Sequence, residues 1–318
     1  MSWGRVVAVT GATGFLGLHL IPALARAGAH IRILARRDPA HPAWQGIAFE
    51  AVRGNLEDAS ALERLVTGAD AVVHAAGLVK ARSRAEFLRT NQGGSTAMAA
   101  AARRHAPQAR FIAVSSLAAR EPQLSDYAFS KRAGEDAVRV AYADTPGQLT
   151  VLRPPAIYGP WDRETLAIFK GATRPFVPVF GQGRAAMIHA ADAAAAIAAI
   201  ATGEAAANRL WTLADGQPQG YTMAELLAEA ARATGSSPRF IRVPNGVVQA
   251  AGHLSGWWGQ RRGQAPLFTA GKAREILHPD WSVSAAELLP ATIHEPRIGL
   301  AEGFAATAAW YRQAGWLR

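Results

Sequence analysis

The first 155 residues alternate between two spacings of apolar positions. Short apolar runs fall near 5–10, 30–34, 47–52, 70–74, 110–115 and 149–153. Each has the length of a strand, and Val6-Val7-Ala8-Val9 lacks polar alternation, as a strand covered on both faces should. Between them, Ala- and Leu-rich stretches near 15–27, 58–67, 84–104 and 128–142 read as helices. Strand and helix taking turns in this way predict an α/β fold, a doubly wound parallel sheet of the Rossmann type. Beyond residue 155 proline and glycine become frequent (Pro160, Pro175, Pro178, Gly181, Gly183). A helical pattern returns at 190–203, followed by the strand-like Arg209-Leu210-Trp211-Thr212-Leu213. The chain therefore divides into a sheet domain, residues 1–155 plus about 186–216, and a smaller C-terminal lobe, about 156–185 plus 217–318. Within that lobe Thr222 and Glu225 form a capping-box signal at the start of a helix. The late tryptophans, Trp257, Trp258, Trp281, Trp310 and Trp316, read mostly as core.

The first strand-to-helix junction is Thr10-Gly11-Ala12-Thr13-Gly14-Phe15-Leu16-Gly17. Strand, glycine-rich turn and helix in that order make a phosphate cradle. Gly11 takes the sharp turn, Gly14 lets the backbone approach a pyrophosphate, and Gly17 lets the helix pack close to the sheet. The amides of the helix N-terminus then face the anion. This predicts dinucleotide binding. The second strand bears on which dinucleotide. Sites that prefer NAD end this strand with an acidic residue for the ribose 2′-hydroxyl. Here Ala35 stands in that place and Arg36 and Arg37 follow. A guanidinium fork suits a 2′-phosphate, so NADP(H) is the expected cofactor, with NAD(H) the alternative.

Half of the 318 residues are hydrophobic and 18% are charged, as in a globular chain with a large core. No charge-free apolar run reaches the roughly 18 residues of a membrane span. The N-terminus is already strand and turn, not a secretory signal. Cysteine is absent, which excludes disulfides, thiolate metal sites and a cysteine nucleophile. No metal is expected, and a cytoplasmic location fits. The formal net charge of +10 raises nucleic acid as a partner. Only four of the 34 basic residues are Lys, and the arginines are spread along the chain without aromatic interleaving, so nucleic acid is not expected. The charge reads as compositional, or as attraction for a phosphate-bearing cofactor or substrate, or as weak contact with an anionic membrane surface.

Tyr127 and Lys131 are four residues apart at the start of a helix pattern, hence on one face. A cation beside a phenol favours phenolate and should lower its pKa, which suits proton exchange with an alcohol or ketone. Upstream, Phe111-Ile112-Ala113-Val114-Ser115-Ser116 is a strand ending in two hydroxyls, at the sheet end where such folds bind ligands.

These motifs together resemble the extended branch of the short-chain dehydrogenase/reductase superfamily, the NAD(P)-dependent epimerases, dehydratases and ketone reductases. The likeness spans nearly the whole chain: the glycine turn, Gly54-Asn55-Leu56, His74-Ala75-Ala76-Gly77, Asn91, then Ser116, Tyr127 and Lys131, and Leu152-Arg153-Pro154-Pro155-Ala156-Ile157-Tyr158-Gly159-Pro160. It implies that Asn55 and Leu56 flank the adenine, with Asn55 replacing the family's usual Asp. It implies that Ala75, Ala76 and Gly77 line the ribose and pyrophosphate, and that Pro154, Pro155 and Ile157 lie near the nicotinamide. Ser116 would be the catalytic hydroxyl, Tyr127 the acid/base, Lys131 the ribose ligand and Asn91 a support for the site water and helix geometry. A homodimer and a small-molecule substrate are also implied. His74, His189 and Asp192 read as structural hydrogen bonds and caps.

Two departures narrow the activity. Leu117-Ala118-Ala119 follow Ser116 without the acidic residue of sugar 4,6-dehydratases, which argues against dehydration. Ser116 and Tyr127 are only eleven residues apart, as in an atypical subgroup related to an accessory subunit of respiratory complex I, some of whose members hold NADP(H) structurally. Retained Tyr127 and Lys131 argue for chemistry. The expectation is hydride transfer between nicotinamide and a carbonyl or secondary alcohol. A nucleotide-sugar epimerase with tightly held NAD(P), and a non-catalytic NADP(H)-binding assembly or sensor protein, are the alternatives. In the second lobe, the apolar, glycine-containing stretch 245–258, followed by Arg261 and Arg262, reads as a packed helix with a solvated basic end. It also suits a cover over an apolar substrate or a contact with a membrane surface.

Overall fold

A computed structural model of the chain describes residues 4–203, 209–261 and 268–317. Seven strands make the central sheet: β1 (Val6–Thr10), β2 (His30–Ala35), β3 (Glu50–Arg53), β4 (Ala71–His74), β5 (Arg110–Val114), β6 (Leu149–Arg153) and the later strand Leu210–Thr212. Every neighbouring pair is parallel. The order across the sheet is Leu210–Thr212, β6, β5, β4, β1, β2, β3. The chain thus winds one way from β1 to β3 and the other way from β4 to β6. That reversal opens a crevice at the C-terminal ends of β1 and β4, where ligands of such sheets bind.

Strand alternation decides which side chain enters which layer. Val7 and Val9 face a cluster with Leu20, Ile21 and Leu24 of α1 (Phe15–Arg26) and Ile197 and Ile200 of the helix Ala190–Thr202. Ala8, between them, faces the opposite cluster. That cluster draws on Leu62 and Leu65 of α2 (Ala59–Val66), on Met98, and on Val138. Full burial of such side chains contributes roughly 1.5–3 kcal/mol each, so both layers are held by ordinary core packing.

Two elements differ from the sequence pattern. The third strand starts at Glu50, not 47. Ile47 and Phe49 are apolar because they pack under α1 beside Trp44, with 5.5 Å between the Trp44 and Phe49 rings. The helix expected over 84–104 is broken into α3 (Arg84–Leu88), a π turn at Arg89–Gly93 and α4 (Gly94–His105).

The second lobe has its own apolar cluster, including Tyr158, Phe169, Leu226, Phe304 and Tyr311. Its helix Met223–Thr234 opens with the expected capping box of Thr222 and Glu225. Trp310 and Trp316 pack on Tyr311 as core residues should. Trp258 does not: it is exposed on the helix Asn245–Arg261, an exception to the reading of the late tryptophans as mostly core, and the Trp257 side chain lies outside the described residues. Arg262 lies outside the described residues. Among them, no helix is long and apolar enough to cross a membrane.

Candidate active site

β1 delivers the chain into Gly11-Ala12-Thr13-Gly14, and α1 begins at Phe15. Gly11 has φ +78° and faces the Ala75–Ala76 peptide so closely that no Cβ fits. Gly17 lies on the Ala12 carbonyl, which lets α1 sit tight on the turn. α1 has no side-chain cap and no acidic residue in its first turn. By contrast, α2, α3 and α5 (Asp126–Ala141) are capped by Asp58, Ser83 and Ser125. An uncapped helix start keeps its amides for an external anion. It opens on a cavity of about 1090 Å³ lined by Gly11, Thr13, Gly14, Arg36, Asn55, Leu56, Ala76 and Gly77. Arg36 and Thr13 also line an adjoining cavity of about 560 Å³, together with Arg37. Phe15, Leu16, Gly17, Arg37, Ala75, Asn91, Ser116, Tyr127, Lys131, Pro154, Pro155 and Ile157 are outside the walls of the larger cavity. Gly17 and Ala75 shape the turn from behind.

α5 starts one turn before the sheet's crevice, with the Ser125 hydroxyl accepting from the Ala128 amide at 3.0 Å. This places Tyr127 and Lys131 on one face. The Tyr127 phenol lies by Ser116, just past the end of β5; the Ser116 hydroxyl favours the ionised phenol and itself accepts from the Ala118 amide at 3.2 Å. The Lys131 ammonium donates to the Val114 carbonyl at 2.9 Å. A Cβ at Gly77 would come within 3.6 Å of Lys131 Nζ and 3.0 Å of Asn91 Oδ1, so glycine there keeps the cavity wall open beside the lysine. The sequence leads to a lowered phenol pKa. The structure corrects that: burial pushes Tyr127 up to about 12, the Ser116 hydroxyl offsets this in part, and Glu275 adds to the rise. Burial also lowers Lys131 to about 8, with Glu135 opposing. At neutral pH the site holds a neutral phenol and an ammonium.

Asn91 sits in the π turn, a distortion frequent at functional sites. Its side chain takes the Leu78 amide (2.7 Å) and gives to the Leu78 carbonyl (3.0 Å) and Ser130 Oγ (2.8 Å). It therefore clamps the loop following Gly77 to α5. Behind it runs a buried relay: Ser95 Oγ donates to the Asn91 carbonyl (2.7 Å) and meets His74 Nε2 (3.1 Å), and His74 Nδ1 meets Thr10 Oγ1 (2.8 Å). Burial, reinforced by Lys131, pushes His74 down to about 3, so it is neutral. His189 caps the helix Ala190–Thr202, and Asp192 accepts from the Arg297 and Ile298 amides, so the structural reading of all three residues holds.

The family model described as "NAD dependent epimerase/dehydratase family" matches residues 7–214. The chain belongs to this family. The fold is the family's as well. A solved dTDP-glucose 4,6-dehydratase from Streptomyces venezuelae, with NAD and TYD bound, superposes with TM-score 0.74 at 21% identity, covering 98% of this chain and 99% of the other. Two curated relatives bear on activity. A "Ceramide reductase" of Caulobacter vibrioides is 50% identical over 314 residues, 98% of this chain and 96% of its own. Subunit 9 of the NADH dehydrogenase 1 alpha subcomplex, mitochondrial, from Arabidopsis thaliana, is 27% identical over 78% of this chain and 62% of its own, in keeping with the short connection from Ser116 to Tyr127. The family member described here is an NAD(P)-dependent enzyme of the reductase and epimerase kind, with a nicotinamide cofactor.

Three residues of the site have no role in the sequence reading. Glu135, one turn past Lys131, takes Nε and Nη2 of Arg153 at 2.7 and 2.6 Å and Ser115 Oγ at 2.6 Å. The spacing of four that joins Tyr127 to Lys131 joins Lys131 to Glu135, and that signal was available. Arg153 stands inside the quoted Leu152–Pro160 motif, but its partner is set by the β5–β6 pairing. Glu275 of the second lobe binds the Ser125 hydroxyl at the start of α5. Those two residues are 150 positions apart, and nothing local announces the contact.

Proposed function

We propose that this chain is an NADP(H)-dependent reductase that converts the ketone of a ceramide-type lipid to a secondary alcohol. The observation that carries the reading is the match to the ceramide reductase. It extends through the second lobe, which the family model ending at residue 214 leaves out. In this fold the sheet domain serves the cofactor, so likeness in the other lobe bears on substrate. A ceramide skeleton has one secondary alcohol on its long-chain base, and the corresponding ketone is the group a hydride can reduce.

A nicotinamide held in the site would supply the hydride that the carbonyl carbon takes up. Ser116 hydrogen-bonds the carbonyl oxygen and holds it against Tyr127. Tyr127 gives its phenolic proton to that oxygen as negative charge develops, and is reprotonated from solvent. A phenol held near 12 is protonated across the physiological range, the form in which it can donate during reduction. Lys131 holds the nicotinamide ribose, and its charge supports the phenolate left behind. The amides at the start of α1 and the side chains of Arg36 and Arg37 hold the pyrophosphate and the 2′-phosphate.

Two measurements test this. Titration followed by nicotinamide fluorescence is expected to show NADPH binding at least about tenfold tighter than NADH, with Arg36→Ala weakening NADPH alone by about 10- to 100-fold, the worth of one charge-assisted contact. Equal affinities would overturn the 2′-phosphate assignment. With an N-acyl 3-ketosphinganine, stoichiometric NADPH oxidation is expected; isomerisation of a sugar nucleotide without net oxidation would instead establish the epimerase. The pH profile gives a second check on the site. Because Lys131 must be charged and titrates near 8, kcat/KM for reduction should be level below that pH and fall as pH rises through it. A profile falling toward acid would remove Lys131 from the mechanism.

A further inference from the structure

The basic residues are spread along the chain, but the acidic ones are not. Segments 165–191 and 230–274 hold ten of the 34 basic residues and none of the 24 acidic residues. The rest of the chain has 24 of each, so the net charge of +10 falls in these two segments, although Arg184, Arg232 and Lys272 pair with Glu225, Glu229 and Glu275 just outside them. The fold brings them together. The strand Phe176–Val179 from the first pairs in parallel with Arg239–Arg242 from the second, matching Phe176 to Arg239 and Pro178 to Ile241. After two intervening residues the chain enters the helix Asn245–Arg261.

This ribbon and helix are also where large apolar side chains are left in water. Phe176 is 57%, Ile241 51% and Leu254 67% exposed. All four residues of Arg239–Arg242 are exposed, so neither face of that strand is covered. On the helix, Val248 is buried and Gly252 lies on Thr269 and Ala273 of the neighbouring helix Ala270–Leu277 and its N-cap. The other face carries Val247, Leu254 and Trp258, at helical spacing and exposed. Outward apolar stripe and cationic flanks are the composition of a surface that lies on lipid.

We propose that this ribbon and helix dock the enzyme on an anionic bilayer. A second copy does not suit the face, because self-association would set unbalanced arginines against each other. Nucleic acid accounts for the charge but not for exposed Ile, Leu and Val. The face is one helix away from the chemistry: Ala270–Leu277, on which the docking helix packs, binds the start of α5 through Glu275 to Ser125 and Arg274 Nε to the Leu124 carbonyl at 2.8 Å. Docking therefore brings the membrane surface beside the turn that carries Tyr127. The inference rests on the surface alone and not on which ketone is reduced.

The test is sedimentation of the intact enzyme with phosphatidylcholine vesicles, with and without about one-third phosphatidylglycerol, at low and high salt. Binding to the anionic vesicles at low salt is expected, with loss at high salt and on neutral vesicles. Each basic residue near such a surface contributes a factor of about five, so Arg239→Gln with Arg242→Gln should weaken binding about 30-fold. Ile241→Ser with Leu254→Ser should weaken it by about tenfold through lost apolar contact. Retained NADPH binding shows that both variants are folded. No binding to anionic vesicles at low salt, equal binding to neutral ones, or indifference to both double variants would overturn the proposal, as would a dimer that either double variant dissociates.

Discussion

Replacing Tyr127 by Phe is expected to lower kcat for ketone reduction by about 10³-fold, within the 10²- to 10⁴-fold range of a single positioned acid, while NADPH affinity changes less than about threefold. The expectation follows from where the phenol stands. Its hydroxyl lies by Ser116, its neighbour Lys131 is anchored on the Val114 carbonyl, and burial pushes its pKa up to about 12. Phe leaves the ring in its packing beside Phe87, at 6.0 Å, and removes only the hydroxyl that carries the proton. Ser116 still holds the carbonyl oxygen in the variant, so substrate affinity should be nearly preserved and the loss should fall on kcat. Stopped-flow absorbance of NADPH in single turnover separates the two. A variant that turns over at the parent's rate would mean that the proton comes from another donor, and the assignment of the site would fail. A lowered melting temperature with unchanged kcat would make Tyr127 a packing residue.

How far these assignments could be read from the chain depends on the range of the contacts behind them. The glycine turn, the paired Tyr127 and Lys131 and the Thr222 capping box are local patterns, and each forms as its spacing dictates. The π turn that positions Asn91 is invisible, because apolar spacing runs through 84–104 without a break. It is set by tertiary contacts, namely Gly94 against Leu56 and the Asn91 amide on Leu78. The Tyr127 pKa goes the opposite way for the same reason. Proximity to Lys131 is a sequence property, whereas desolvation by burial, and the charge of Glu275 from a distant part of the chain, are properties of the assembled fold. The net charge shows the converse error. Counting basic residues alone suggests an even distribution; the imbalance lies in where acidic residues are missing.

The largest stability effect should come from a pair that no motif announces. Glu135→Ala is expected to destabilise the enzyme by about 3–5 kcal/mol, the cost of leaving one partner of a buried ion pair uncompensated. Glu135 and Arg153 side chains are 1% and 10% exposed, and the guanidinium is held by both carboxylate oxygens. Against a typical total of about 5–15 kcal/mol, such a loss can leave little folded protein, so Glu135→Gln is the informative companion. It keeps the shape and an acceptor for Ser115 while removing the charge. That charge opposes the burial of Lys131, so its loss should move the lysine below about 8 and carry the alkaline fall of kcat/KM toward neutral pH. A melting temperature lowered with the pH limb unmoved would confine Glu135 to holding α5 against β5 and β6. Replacing the pair together, Glu135→Leu with Arg153→Met, sharpens the distinction. Apolar residues of similar volume should recover most of the stability, yet the limb should stay shifted, because nothing then opposes desolvation of the ammonium. Stability and proton affinity separate in that variant only if Glu135 acts on Lys131 through its charge.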